Sequence, residues 1–291
     1  MRMWSCEDRR APFVEVFKRS ATAHGYDLRL IAPDAVAPTG FVQLKAHYRH
    51  LSPNPERFEL ASFRRWFEIA AQVAPNERFV LADSDLFIGQ AFATLPAEVR
   101  DFDGLAGSIG ATGDVLEDGI NGGFSVWTGR LLRQFCDYMV AVYEAGTGRL
   151  AALHAAKLAT GNARASISDM TLLYGWVQEA SIPFLNTNRL LRDAMGRALY
   201  IDHNFFMPEA LGLRFAMTLG RKSVRWQHGQ LQLRTRGGEP VIAASVHLGG
   251  RYKIMAEDLE RRDQLGLASK SAYILGGRTG RAVLARAGLH W

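Results

Sequence analysis

The first 32 residues most constrain what this chain can fold into, because they read as strand, helix and strand in quick succession. Residues 1–6 are short and lean apolar, enough for a strand edge. "APFVEVFKRSATAHG" then places Phe13, Val16, Phe17 and Ala21 at helical spacing and stops at Gly25, and "YDLRLIA" follows as a strand. Two strands joined by a helical crossover open a parallel α/β sheet. Residues 36–55, with Pro38, Gly40, Pro53 and Pro55, read as loop and short pieces. Phe63, Trp66, Phe67, Ala70 and Val73 then mark one face of a helix over 58–73, ended by "APNE". The continuous apolar run "RFVLA" reads as a buried central strand. The fold class expected is therefore α/β, with a central, mostly parallel sheet flanked by helices.

That strand runs straight into Asp83, Ser84 and Asp85. In an open α/β sheet ligands bind outside the carboxyl ends of the strands. Side chains two apart on an extended tail face the same way. Two carboxylates so placed repel unless a cation or a shared proton joins them. A divalent metal on Asp83 and Asp85 is the economical solution; a capping Asp83 beside a solvated Asp85 is the plain alternative.

Downstream, a weak strand in "DGLAGSI" and a glycine-rich loop lead to "NGGFSVW", which alternates like a strand. Gly122 and Gly123 would let the backbone pass close to a ligand. Helices are expected from Gly129 and through "RLAALHAAKLA". Another is expected over "SISDMTLLYGWVQEA", with Ser168 or Asp169 as its N-cap and Leu172, Leu173 and Trp176 as its buried face. Beyond "IDHNFFMPE" the pattern changes to strand alternation in "SVRWQ", "QLQLRTR" and "PVIAASV", with a turn at Gly237 and Gly238. This region delivers "HLGGRYK" at 247–253.

The composition bounds the function classes. The chain has 291 residues, 48% hydrophobic and 22% charged, enough for a sizeable core. No apolar leader and no run of about 18 or more uncharged apolar residues is present, so the chain reads as cytoplasmic. Two cysteines, Cys6 and Cys136, make neither a disulfide framework nor a zinc site. The net charge of +6 points to anionic partners, but no nucleic-acid-binding signature appears, and no nucleic-acid partner is expected. Lys270, Arg278, Arg281 and Arg286 accumulate after the last acidic residue, Asp263. They make residues 261–291 a basic C-terminal extension, either solvated or in peripheral contact with the inner face of a membrane.

In their order along the chain these pieces resemble the metal-dependent GT-A glycosyltransferases, and most closely the glycogenin-type family that includes bacterial lipopolysaccharide galactosyl- and glucosyltransferases. Asp83-Ser84-Asp85, the Asn121-Gly122-Gly123-Phe124 strand, Asp169 with Leu172 and Leu173 behind it, and His247-Leu248-Gly249-Gly250-Arg251-Tyr252-Lys253 carry the resemblance, the last matching H-[FL]-x-G-x-x-K position for position. The likeness spans residues 1–260 and implies a Rossmann-like GT-A catalytic domain there. It implies that Asp83, Asp85 and His247 hold Mn2+ or Mg2+, and that Arg65, Ser84, Gly122, Gly123, Gly250 and Lys253 contact a nucleotide-sugar donor, a uridine diphosphate sugar above all. Asn121 and Asp169 would act at the sugar, with transfer to a glycan, lipid-linked or protein acceptor and retention of anomeric configuration. The chain departs from the family at Met170, where glutamine is usual, and it has no proline-tryptophan pair after Lys253. Two other classes fit parts of the pattern. A non-catalytic sugar- or anion-binding module on a degenerate transferase fold is one. A haloacid-dehalogenase-like phosphatase is the other, although Phe87 stands where that motif needs threonine or valine.

Overall fold

The computed structural model describes residues 1–110, 119–162 and 165–286, with side chains as far as residue 276. The fold is mixed α/β. The chain forms two compact units that interleave along the sequence: Met1–Asp8, Asp27–Asp83 and Asp101–Thr187 make the first, and Arg9–Tyr26, Ser84–Arg100 and Asn188–Trp291 the second.

The first unit is built on a six-stranded sheet ordered Asp27–Ile31, Arg2–Cys6, Arg78–Ala82, Ile120–Thr128, Leu105–Ile109 and Phe184–Asn186. Arg2–Cys6 is the strand expected at the N-terminus, and it pairs in parallel with both neighbours, Met3 lying opposite Leu28 and opposite Val80. Leu105–Ile109 and Phe184–Asn186 are also parallel, and Ile120–Thr128 alone runs against its neighbours. The sheet is thus mostly parallel, and helices flank it. The helix Glu56–Gln72 turns Phe63, Trp66, Phe67 and Ala70 inward, the face that its spacing predicts. Trp66, Trp127, Phe135 and Trp176 pack ring on ring, with Trp66 5.4 Å from Trp127, and Trp127 stacked on Trp176 at 6.1 Å. Each such pair adds about 0.5–1.5 kcal/mol beyond the area it buries.

A helix at Thr39–His47 replaces part of the expected loop over 36–55. Pro38 and Gly40, which read as breakers, sit at its start, where proline's missing N–H costs nothing, while Phe41 and Leu44 are buried. At Asp169–Glu179 the cap is Ser168, in a capping box with Thr171. Asp169 is therefore not the cap, and its carboxylate serves elsewhere. Most of the glycine-rich loop after Ile109 lies outside the described residues.

The second unit centres on the strand Pro240–His247, buried from Val241 to Val246. It pairs antiparallel with Gln230–Arg234 and with Leu86–Ile88, and parallel with Ala198–Ile201. Gln230–Arg234 and Pro240–His247 are the hairpin expected around Gly237 and Gly238, and Val224–Gln227 extends the sheet beyond it. Within the segment 261–291 lies the helix Gln264–Arg286, whose Leu267 and Ile274 enter this unit's core. Lys270 is not part of a solvated basic face: it is buried, and its ammonium lies 2.8 Å from Asp258. Among the described residues no helix is long and apolar enough to cross a membrane.

Gly122 is fixed by packing rather than by backbone conformation, since a Cβ there would lie 2.5 Å from Cη2 of the enclosed Trp66 indole. Gly122→Ala should lower the unfolding free energy by about 1–3 kcal/mol in urea titration. A Cβ at Gly148 meets nothing within 4 Å, and Gly148→Ala should leave stability unchanged or raise it by up to about 1 kcal/mol.

Candidate functional site

The residues singled out in the sequence divide between the two units. In the first, Arg78–Ala82 delivers Asp83, whose N–H donates to the Gly123 carbonyl at 2.7 Å. Arg65, on the helix Glu56–Gln72, donates to Asp83 Oδ1 through Nη1 and to Asp169 Oδ2, at 2.9 Å, through Nη2. Burial disfavours the Arg65 charge, but Asp83 and Asp169 outweigh it and hold the guanidinium pKa above its ordinary value. Trp66 Nε1 also donates to Asp169 Oδ2 at 2.9 Å, and the Met170 N–H donates to Asp169 Oδ1 at 3.0 Å. Asp169 is buried with hydrogen bonds on both oxygens, which fixes its orientation.

Asn121 and the two glycines complete this group. Asn121 Oδ1 accepts the Gly123 N–H at 2.7 Å. A Cβ on Gly123 would stand 2.8 Å from that same Oδ1 and 3.0 Å from Asp83 Oδ2. Both glycines have a packing role: Gly122 clears space for Trp66, and Gly123 for Asn121 and Asp83.

In the second unit, Ser84 and Asp85 form a turn rather than an extended tail, so the expected same-side alignment with Asp83 is not imposed by a strand. The turn leads into Leu86–Ile88, which pairs with Pro240–His247 and sets Leu86 opposite His247. The Leu248 N–H donates to the Asp85 carbonyl at 2.9 Å. Asp85 Oδ1 stands 3.1 Å from His247 Nε2, and Asp85 Oδ2 lies 3.0 Å from Lys253 Nζ. Gly250, at φ +60° with nothing within 4 Å of a Cβ, turns the chain into the short helix Gly250–Met255, which returns Lys253 toward Asp85. Glycine is needed there for its left-handed backbone, which costs other residues roughly 1–2 kcal/mol. Ser84 is buried.

The electrostatics of Asp85 follow from these contacts. Burial raises its pKa, and His247 and then Lys253 overcome that effect, holding the carboxyl well below the ordinary carboxylate range. His247 Nδ1 lies 2.7 Å from the His203 carbonyl oxygen, an acceptor only, so Nδ1 carries the proton of that bond. Nε2 then faces a carboxylate oxygen that is buried and receives no hydrogen bond. Two acceptors at 3.1 Å need a positive charge, supplied by protonation of the imidazole or by a cation bound to both.

The sequence reading missed three participants. Trp66 was read as core, yet its indole N–H helps hold Asp169. Asp202 accepts the His247 N–H at 3.2 Å and pairs with fully buried Lys222 at 2.5 Å. "IDHN" at 201–204 shows Asp202 leaving an apolar strand, as "LADSD" shows Asp83, and this was the available signal; nothing in the local pattern of Lys222 marks it as buried. No protein-family model matches this chain, and no curated protein does.

Because its folded pKa is depressed, Asp85 contributes stability that is present above the unfolded aspartate value of about 3.9 and is lost as pH falls through the folded value. The stability difference between wild type and Asp85→Asn, measured by urea unfolding, should be largest near neutrality and shrink below about pH 4. A difference constant from pH 7 down to pH 3 would show that the Asp85 charge is not what His247 and Lys253 hold.

Proposed function

We propose that the chain is a metal-dependent glycosyltransferase of GT-A type, taking a sugar from a uridine diphosphate sugar. One observation carries the reading: Asp85, the second aspartate of the D-x-D, receives both His247 and Lys253, the two ends of the H-x-x-G-x-x-K stretch. The resemblance assigns these motifs to one diphosphate-metal site, and nothing in their sequence separation would bring them to one carboxylate by chance.

The donor set fits a divalent cation. Asp85 Oδ1 is a buried oxygen without a hydrogen bond, and His247 is oriented through Nδ1, with Nε2 toward that oxygen. Asp83, Asp85 and His247 would hold the ion; Asp83 belongs with Asp85 because Cα atoms two residues apart cannot separate by more than about 7 Å. Two carboxylates with one imidazole suit Mn2+, or Mg2+ with less demand on the histidine. A cation bound there supplies charge stabilisation for a departing diphosphate.

The remaining roles fall to the chain's own side chains. Lys253 sets an ammonium beside Asp85, where it would meet a phosphate oxygen as a point charge. The open space at Gly250 admits a ligand without a clash, and Ser84 lies between the two aspartates. In the first unit Arg65 would neutralise donor charge, and Asn121 and Asp169 would bind sugar hydroxyls. Asp169, with both oxygens already accepting hydrogen bonds, suits orienting a sugar and stabilising positive charge at its anomeric carbon better than removing a proton. That favours retention. The acceptor would be a glycan, lipid-linked or protein hydroxyl.

A second reading, a binding module without catalysis, is favoured by the side-chain cations that already pair with each aspartate: Arg65 with Asp83 and Lys253 with Asp85. Calorimetry with uridine diphosphate separates metal dependence from its absence. Wild type should bind at least about tenfold more tightly with Mn2+ than with chelator, a difference of about 1.4 kcal/mol. Asp85→Asn and His247→Ala should abolish that difference, and Lys253→Met should weaken uridine diphosphate far more than uridine. Metal-independent binding in all variants would leave the module reading in possession.

For the chemistry, Asp169→Asn should lower turnover of a uridine diphosphate sugar by about 10²-fold while sparing nucleotide affinity. Proton NMR of the first product from an α-linked donor should show an α-linkage; a β-linked product would make Asp169 the base.

A further inference from the structure

The second unit contains an ion pair that the proposed chemistry does not use. Lys222 is fully buried on Arg221–Lys222, and its ammonium donates to Asp202 Oδ1 at 2.5 Å and to the Asn204 carbonyl at 2.6 Å. The ammonium lies over two aromatic rings, 5.0 Å from the Phe215 centroid and 5.5 Å from the Tyr200 centroid. Bringing two charges so far from water costs as much as their attraction returns, and well-packed apolar residues of the same volume commonly do as well. Stability alone therefore gives this pair no clear purpose.

Its geometry gives it one. Asp202 uses its other oxygen, Oδ2, to accept the His247 N–H at 3.2 Å. The Phe205 N–H donates to the His247 carbonyl at 3.0 Å, and the Lys222 N–H donates to the Phe205 carbonyl at 2.9 Å. The His203 carbonyl accepts from His247 Nδ1 at 2.7 Å, and the Tyr200 hydroxyl, bonded to Asn188 Oδ1 at 2.6 Å, lies 3.1 Å from His203 Nδ1. Residues 202–205 thus grip His247 at its backbone nitrogen, its backbone oxygen and one ring nitrogen, and Lys222 ties that segment together at the carboxylate of Asp202 and two carbonyls.

We propose that Asp202, anchored by Lys222, is a positioning residue for His247, fixing the imidazole in the tautomer and direction that turn Nε2 toward Asp85 and a bound divalent cation. The cation half of this rests on the function proposed above; the fixing of the ring does not. A ligand histidine held through its other nitrogen loses about 10–100-fold in metal affinity when that support is removed.

The test uses the full chain in three forms: wild type, His247→Ala, and the double variant Asp202→Leu/Lys222→Met, which removes both charges at nearly constant volume. Manganese alone is titrated and followed by electron paramagnetic resonance, and the imidazole 15N shifts of His247 are recorded at neutral pH. The double variant should bind Mn2+ about 10–100-fold more weakly, falling toward the affinity of His247→Ala, and its His247 Nδ1 should lose the uniform protonation that it has in the wild type. A folded double variant with wild-type manganese affinity and wild-type His247 shifts overturns the proposal. Should wild type not bind manganese, the function proposed above fails on that point, and the 15N comparison alone decides whether Asp202 fixes the ring. Should the double variant not fold, the wild-type spectrum decides: a His247 Nδ1 without a proton overturns the proposal, and a protonated one supports it.

Discussion

Two carboxylates one residue apart at the end of a buried strand are the constraint on which the rest of the site depends. Neither charge is solvated away. Asp83 is answered by Arg65, which reaches from the helix Glu56–Gln72 and also engages Asp169. Asp85 is answered by His247 and Lys253, which arrive from the end of the strand Pro240–His247 and the turn beyond it. Separating the answers in this way requires the chain to turn between the aspartates. With the turn at Ser84 and Asp85, each carboxylate keeps a side-chain cation of its own, Arg65 for Asp83 and Lys253 for Asp85.

The strand Pro240–His247 earns its near-complete burial by serving as the spine of the second unit. Its pairing with Leu86–Ile88 fixes the register that sets His247 opposite Leu86, and the Leu248 N–H bond to the Asp85 carbonyl continues that register by one step. A slip of a single residue would send the imidazole to the opposite face of the sheet. Hydrogen-bonded register, rather than the D-x-D itself, therefore decides that His247 meets Asp85.

Much of this was legible in the sequence, and the reasons differ by element. The central strand before Asp83, the helical face of Phe63, Trp66 and Phe67, and the late hairpin all follow from strong periodicity. The helix Thr39–His47 was hidden because Pro38 and Gly40 are breakers in a helix interior but acceptable at its start. The turn after Asp83 was unreadable because nothing in "DSDLFI" distinguishes a strand that continues from one that bends and begins again. Of the residues in the candidate site, those that stand in recognisable motifs are the ones the sequence singles out. Asp202 and Lys222 are not among them, because their partners are set by a parallel pairing and a short hairpin far along the chain, and a buried lysine looks in sequence like any other.

Trp66 shows how packing and polar geometry are the same problem here. Its ring lies 5.4 Å from Trp127 and 5.2 Å from Phe135, so the core fixes the indole in place. Because it is fixed, position 122 has room for no side chain beyond hydrogen, and the adjoining Gly123 leaves space for Asn121 and Asp83. The same indole aims Nε1 at Asp169 Oδ2, where Arg65, its neighbour on the helix, also donates. Two adjacent residues of one helix thus hold one carboxylate, the first through charge and the second through a ring that the core will not let move. An acid held by a mobile arginine alone would be free to follow its partner. Held also by a core tryptophan, Asp169 stays where the backbone puts it, which is the property a group needs if its task is to orient another molecule rather than to trade a proton with it.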